Sequence, residues 1–132
     1  MILEEKADLK KISKIIIAAE KTLDDSPQLC VAGCRIGLEM ILKWVYKKEK
    51  FIWRNKDKLN YLLSKKNFKK ICGEDLLKSL YQLKKLGNHA SHGNDEIRYE
   101  DALMCLQILY DFLRFLDCRY RTDFIKSSFE IT

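Results

Sequence analysis

Apolar residues recur at helical spacing along most of the chain. Near the N-terminus they predict a first helix over about Leu3–Leu23. Ser26 and Pro27 then form a helix start signal, because a serine side chain caps free amide groups and a proline at the first helical position leaves no N–H unsatisfied. The sequence therefore predicts a second helix from Pro27 to about Lys48. The stripe of the first helix consists of Ile2, Leu9, Ile12, Ile16, Ala19 and Leu23.

The second predicted helix is apolar around most of its circumference, which is typical of a helix at the centre of a bundle. Its polar residues Arg35, Glu39 and Lys43 repeat every four positions and favour an exposed salt-bridge ladder. Gly33 and Gly37, also four apart, indicate that a neighbouring helix packs closely there. That neighbour belongs either to the same chain or to a second subunit.

The rest of the chain continues in the same pattern. It predicts a short helix over about Lys56–Lys65, a turn holding Phe68 and Ile71, a helix from about Gly73, and a last long helix over about Tyr99–Tyr120. The expected fold is all-α, a bundle of four to five helices. The expected domain organisation is an N-terminal helix joined to the bundle (1–24), the helical domain (25–122) and a tail or linker start (123–132).

Composition excludes several classes of protein. With 132 residues, 47% hydrophobic and 33% charged, the chain suits one globular domain with its own core. The longest apolar run, Ile15–Ala19, is far shorter than the roughly 20 residues of a membrane-spanning helix. The first residues lack the basic-then-apolar order of a signal peptide. We therefore expect a cytoplasmic protein without a membrane partner.

The five cysteines fit a reducing compartment, because their number is odd and they form no C-x-x-C pair. Cys30 and Cys34, together with His89 and His92, have helix-face spacing that would suit a metal ion. Buried, reduced thiols that act as small apolar residues are the favoured interpretation. No metal and no other cofactor is expected.

The net charge of +6 is unevenly distributed. The segment Lys43–Lys70 holds eleven lysine and arginine residues against Glu49 and Asp57. Such a local excess suits a polyanionic partner, DNA or RNA, that releases counterions on binding. The alternative is a solvated face without a partner. The candidate nucleic-acid-binding residues are Lys65, Lys66, Lys69, Lys70, Lys84 and Lys85.

Aromatic residues interleave these lysines, as they do in proteins that bind single strands by stacking. Trp44 and Phe68 are expected in the core, whereas Phe51 and Trp53 are compatible with either role. The full aromatic set is Trp44, Tyr46, Phe51, Trp53, Tyr61 and Phe68.

The segment Leu83–His92 contains a helix-breaking glycine, an asparagine and the two histidines of the chain. Together with other elements it resembles the HEPN-like domain of unknown function found at the N-terminus of type I restriction enzyme R subunits. The resemblance covers about Gln28–Tyr120. Its elements are Cys34-Arg35-x-x-Leu38-Glu39-x-x-Leu42-Lys43-Trp44-Val45-Tyr46, Asp57-Lys58-Leu59 with Phe68, Leu83-Lys84-Lys85-Leu86-Gly87-Asn88-x-x-Ser91-His92, and Asp101-Ala102-Leu103.

The resemblance implies where ribonuclease chemistry would lie. Active HEPN ribonucleases carry R-N-x-x-x-H, in which the histidine moves protons and the arginine stabilises charge on the phosphate. Asn88 and His92 match that motif, but Gly87 stands at the arginine position. Lys84 or Lys85 would be a poorer phosphate clamp than arginine. A structural role is therefore expected for Gly87, Asn88 and His92, and no catalytic residue in the isolated domain.

Three functions follow from the resemblance and the charge. The favoured one is a non-catalytic binding or docking module of a restriction or related defence system, which also contacts nucleic acid. The alternatives are a metal-independent ribonuclease with a degenerate motif, using His92 and Asn88, and a pure dimerisation module. Arg35 and Glu39 form either the exposed ladder or a support for His92 across the bundle. The expected partners are a second copy of the chain, DNA or RNA, and other subunits of a restriction complex.

Overall fold

The fold is a bundle of α-helices. The computed structural model describes residues 3–54, 58–92 and 96–125, with Ser91 and His92 described by their backbone alone. These ranges contain no β-strand, and none of their helices has the length and apolar character needed to cross a membrane. The predicted all-α class is confirmed. The helices are α1 (Leu3–Lys21), α2 (Pro27–Glu49), α3 (Leu59–Ser64), α4 (Lys66–Cys72), α5 (Glu74–His92) and α6 (Tyr99–Tyr120).

Helix α2 lies at the centre of the bundle, as its apolar circumference predicts. It packs against α1, α3, α5 and α6. The Ser26 hydroxyl accepts a hydrogen bond from the Leu29 N–H at 3.2 Å, and Pro27 is the first helical residue, so the predicted start signal is confirmed. Burial of these apolar side chains is the main stabilising contribution to such a bundle. The fully buried residues of α2 include Val31, Leu38, Ile41, Leu42, Val45 and Tyr46.

Helices α1 and α2 run antiparallel and touch closely at a glycine. A Cβ atom at Gly33 would lie 2.8 Å from the Cβ of Ala19, and one at Gly37 would lie 3.5 Å from the side chain of Ile16. The close neighbour predicted from Gly33 and Gly37 is therefore α1 of the same chain. Because α1 covers them, these two glycines do not form the surface that we considered for contact with a second subunit.

Two short helices connect α2 to α5. Helix α3 has six residues and α4 has seven, where the sequence predicted one short helix and a turn. Leu59, Leu62, Leu63 and Phe68 bury their apolar faces, and the Tyr46 hydroxyl donates a hydrogen bond to the Leu62 carbonyl oxygen. These contacts position helices that are too short to be stable alone.

The chain folds back onto the core after α6. The carboxylate of Asp117 accepts hydrogen bonds from the Thr122 hydroxyl (2.6 Å) and from the N–H groups of Phe124 (2.8 Å) and Ile125 (2.9 Å). Phe124 is buried, with its ring centroid 5.2 Å from that of Trp44. The first residues of the segment 123–132 thus belong to the core, and residues 126–132 lie outside the described ranges. The domain boundaries stay a prediction.

Candidate functional site

The basic segment divides into two parts in the structure. At the C-terminal end of α2, the lysines pair with acidic residues. Lys43 lies 3.7 Å from Glu39, and Lys48 lies 3.0 Å from Glu5. Lys47 contacts Glu4 and lies 3.7 Å from Asp8 of α1. Much of the positive charge of this part is therefore neutralised within the chain.

The second part of the basic segment, residues 58–72, has a higher excess of positive charge. Residues 58–72 contain five lysines and no aspartate or glutamate. Phe68 turns into the core, so the lysines at positions 66, 69 and 70, three and four residues apart, share the opposite face and are exposed. Lys65 precedes them at the start of α4, and Lys69 lies 3.9 Å from the exposed Glu74. We call Lys65, Lys66, Lys69 and Lys70 the lysine surface.

A tyrosine and an asparagine of α3 join the lysine surface to α5. Tyr61 is 41% exposed, and the Lys65 ammonium lies 4.6 Å from the centroid of its ring. The Lys84 ammonium donates a hydrogen bond to the Asn60 side-chain oxygen at 2.9 Å. Lys85 is exposed on α5. Helix α3 therefore lies between the two groups of predicted lysines, because Tyr61 contacts Lys65 at the start of α4 and Asn60 contacts Lys84 of α5.

The aromatic residues of the basic segment fall into three groups. Trp44 and Phe68 are buried, at 4% and 0% exposure, which confirms their predicted place in the core. Phe51 and Trp53 are half-buried. Tyr46 is fully buried as well, and Lys43 lies 6.0 Å from the ring of Trp53. Of the six residues, Tyr61 is the one that is exposed, and it has a lysine over its ring. The exposed ring of Tyr61 is therefore available to stack with a base.

The motif segment packs against α2 through Gly87. A Cβ atom at Gly87 would lie 2.7 Å from Cβ, 2.8 Å from Cδ and 2.9 Å from Cγ of Arg35. Any larger residue would collide with the stem of this arginine. The position that lacks the motif arginine is therefore in contact with an arginine from a different helix.

A hydrogen bond fixes the direction of that arginine. The Nε–H of Arg35 donates to the Asn88 side-chain oxygen at 3.1 Å. Two residues farther along α5, the Ala90 carbonyl oxygen accepts a hydrogen bond of 2.7 Å from the Gln28 side chain. The end of α5 is thus held to the first half of α2 by two side chains of α2. The side chain of His92 lies outside the described residues.

Arg35 and Glu39 make different contacts in the structure. Glu39 takes part in a ladder contact with Lys43. Arg35 instead turns to α5, where it meets Gly87 and Asn88. Arg35 therefore makes contacts across the bundle with Gly87 and Asn88, and the predicted support for His92 concerns a side chain outside the described residues.

The cysteines show the chemistry of core residues. Cys30, Cys34 and Cys105 are free and buried. The hydrogen bond with Cys30 and burial both raise the pKa of Cys34, and burial raises the pKa of Cys105 to about 12. A raised pKa favours the protonated thiol of Cys34 and Cys105, which is a poor metal ligand, whereas the hydrogen bond with Cys34 lowers the pKa of Cys30. Within the described ranges, no group of three or more His, Cys, Asp or Glu residues is placed to hold a metal ion.

Two contributors to this region were not singled out from the sequence. Asn60 and Gln28 look like ordinary surface residues, and their roles depend on how helices far apart in sequence align. Gly87 did carry a signal. It continues the buried positions Leu80 and Leu83 of α5, and a glycine on a buried face often marks a close approach of another element. The identity of the approaching residue required the structure.

A known family matches most of the chain. The model of a family described as Domain of unknown function (DUF4145) matches residues 17–121. That range contains the lysine surface, Arg35, Gly87 and Asn88. No curated protein and no solved structure matches the chain. Because the family model spans most of the sequence, the chain belongs to the DUF4145 family of domains of unknown function.

Proposed function

We propose that this chain is an HEPN-like accessory module that binds single-stranded nucleic acid through its lysine surface and does not act as an enzyme by itself. One observation carries this proposal. Residues 58–72 hold five lysines and no acidic residue, and Lys66, Lys69 and Lys70 are exposed on one face of α4, with the half-buried Lys65 at its N-cap. A surface of this kind attracts phosphate groups and releases their counterions.

The comparison with the lysines of α2 strengthens this choice. Lys43, Lys47 and Lys48 each have an acidic neighbour within 4 Å, so a high lysine content alone does not make a free basic face. On the lysine surface, the single such contact in the described part of the chain is between Lys69 and the exposed Glu74. Exposed pairs of this kind are weak and leave the lysine available to a phosphate.

Tyr61 favours a single strand over a duplex. Its ring is 41% exposed and lies beside the Lys65 ammonium. An unpaired base can stack on such a ring while a lysine contacts the adjoining phosphate, whereas the bases of a duplex already stack on one another. The proposed ligand is therefore unpaired RNA or DNA.

The biological setting is proposed from the resemblance to the domain at the N-terminus of type I restriction R subunits. The helical bundle and the family match over residues 17–121 are compatible with that setting. A module that binds single strands but lacks its own catalytic centre suits a larger assembly in which other domains cut or unwind nucleic acid.

Direct binding tests the proposal. Lys65, Lys66, Lys69 and Lys70 are changed together to glutamate, and the matched control changes Lys6, Lys10, Lys14 and Lys21, which are exposed on α1. Both variants alter the net charge equally. We expect the first variant to bind a labelled oligouridylate or oligothymidylate at least roughly 100-fold more weakly, and the control to lose much less. Wild-type protein that binds neither oligonucleotide at low salt would disprove the proposal.

A metal-independent ribonuclease is the second candidate, and Arg35 is the observation that favours it. Its guanidinium group belongs to the side chain that lies on Gly87, so the cation absent from the motif sequence is present nearby in space. The test is incubation of single-stranded RNA with a chelator and wild-type, His92→Ala or Arg35→Gln protein. We expect no cleavage by any of them. Cleavage by wild type that both variants abolish would establish the ribonuclease instead.

A further inference from the structure

The motif segment and the lysine surface are joined by a chain of contacts. Lys84 and Asn88 are four residues apart on α5, so they lie on one side of the helix, about 6 Å apart along its axis. Lys84 contacts Asn60 at 2.9 Å. Asn60 is followed by Tyr61, whose ring lies 4.6 Å from the Lys65 ammonium. A polar track therefore leads from Lys65 at the start of α4 to Asn88 near the end of α5.

Arg35 lies at the end of this track in a fixed orientation. Its stem lies against Gly87, and its Nε–H is bonded to Asn88. A guanidinium group has five N–H donors, so the hydrogen bond to Asn88 uses one and leaves the four terminal ones. Within the described ranges, none of the ion pairs of the chain involves Arg35. An oriented guanidinium group without a carboxylate partner is suited to bidentate binding of a phosphate.

Gly87 and Asn88 explain why the arginine is held in place. Arginine has a long side chain that loses rotamer freedom when it binds a ligand. Here the glycine gives the stem a surface to lie on, and the asparagine sets the rotation of the guanidinium plane. Part of the side-chain entropy of Arg35 is therefore already lost on folding, so less is lost when a ligand binds.

We infer that Arg35 is a phosphate-binding residue at the far end of the single-strand path that begins on the lysine surface. Gly87 and Asn88 are its positioning residues. This inference rests on the proposed function, because it concerns the same strand. It adds a second anchor, separate in sequence from the lysines of α4, and it assigns a binding role to the glycine and asparagine of the motif that requires no cleavage.

The salt dependence of binding distinguishes a phosphate contact from a structural effect. For single strands, each phosphate contact contributes about 0.7 to the slope of log affinity against log salt concentration. The probe is an oligouridylate of about 12 nucleotides, within the site sizes typical of single-strand binders. We expect Arg35→Gln to lower the slope by about 0.7 and the affinity about tenfold. Arg35→Lys should keep the slope, because it keeps the charge, and lose part of the affinity.

Two further variants complete the experiment. Arg114→Gln removes an exposed arginine of α6 that pairs with Asp111 at 2.7 Å, and it should leave slope and affinity close to wild type. Asn88→Asp gives Arg35 a carboxylate partner while the α2–α5 contact is kept. It should reproduce the loss of slope even if Arg35→Gln folds poorly.

The outcomes separate this inference from the proposed function. If wild type binds but Arg35→Gln and Asn88→Asp both behave as Arg114→Gln does, the inference is wrong and binding by the lysine surface stands. If wild type binds no oligouridylate or oligothymidylate, both are wrong. A lower slope in Arg35→Gln and Asn88→Asp, with Arg114→Gln unchanged, supports the phosphate contact.

Discussion

Helix α2 forms two close seams, one with α1 and one with α5, and a glycine makes each of them possible. At the α1–α2 seam the glycine is Gly33 of α2, and the group that fills the space is the methyl of Ala19. At the α2–α5 seam the glycine is Gly87 of α5, and the space is filled by the stem of Arg35. The same device therefore admits an apolar group at one seam and a cation at the other.

The two seams contribute differently to stability and to binding. A methyl group in a tight apolar contact contributes burial and packing, which stabilise the fold. The hydrogen bond between the charged Arg35 and Asn88 adds about 1.5 kcal/mol net, the low end of the range for charged groups, because the pair is only part-buried. We therefore expect substitutions at the first seam to change stability alone, and those at the second to change binding too.

The largest effects are expected from closing either glycine space. Gly33→Ala and Gly87→Ala each place a Cβ atom less than 3.0 Å from a neighbouring Cβ, that of Ala19 or of Arg35. Overpacking of this kind typically costs about 1–3 kcal/mol, offset by up to about 1 kcal/mol from the better helix preference of alanine. Urea denaturation should show a lower midpoint for both variants. An unchanged or higher midpoint would contradict the close contact at that seam.

Compensating substitutions should distinguish the role of the α1–α2 seam from that of the α2–α5 seam. Gly33→Ala combined with Ala19→Gly moves the methyl group to the other helix, so the stability lost in the single variant should largely return. Gly87→Ala combined with Arg35→Gly also removes the clash. In that double variant we expect stability to recover partly while oligouridylate binding stays weak, because the guanidinium group is gone. Full recovery of binding would show that the second seam is as purely structural as the first.

A smaller effect is expected from removing the acceptor for Arg35. Asn88→Ala should lower the free energy of unfolding by about 1.5 kcal/mol, the low end of the net range for a hydrogen bond to a charged group, because the pair is only part-buried. Oligouridylate affinity should fall as well, because the guanidinium group loses its fixed orientation. The control is Asn67→Ala, an exposed asparagine of α4, which should leave unfolding close to wild type. Equal stability of the two variants would argue against the bond.

The smallest effect is expected at the ion pair between Glu4 of α1 and Lys47 of α2. The hydrogen bond from Lys47 and the positive charge of its ammonium group lower the pKa of Glu4. The stabilising contribution of Glu4 is therefore present above the pKa of the carboxyl in the unfolded chain and is lost as the pH falls through the lower folded value. NMR titration should place the Glu4 pKa below that of an ordinary glutamate. In Lys47→Met it should return to the ordinary range, with little change in oligonucleotide binding.

Much of the fold could be predicted from the sequence because local signals agree with one another. The apolar spacing placed the long helices, and Ser26-Pro27 marked the start of α2. The turn that returns Phe124 to the core had no comparable signal, since it depends on three hydrogen bonds to Asp117. Both glycine seams left a trace in the sequence, but only the register between helices decides which residue fills each space.

The site was less predictable for the same physical reason. A count of charges along Lys43–Lys70 treats all its lysines alike. Lys47 and Lys48 meet carboxylates of α1 that are 43 residues away in sequence, and no local pattern reveals those pairs. Arg35 and Asn88 are separated by 53 residues, and the sequence left Arg35 between an i, i+4 ladder and a support for His92 across the bundle.

The shortness of α3 and α4 has a consequence for the kinetics of amide hydrogen exchange. Neither helix has a side-chain cap at its N-terminus, and each spans about two turns or less. Segments of this kind open at a free energy below that of global unfolding, so their amides should exchange with solvent sooner than those of α2 or α6. Any ligand that bridges Lys65 and Lys84 would tie the two short helices to α5. The slowing of exchange in α3 and α4 on addition of oligouridylate would then report occupancy of the surface directly, residue by residue, in the unmodified protein.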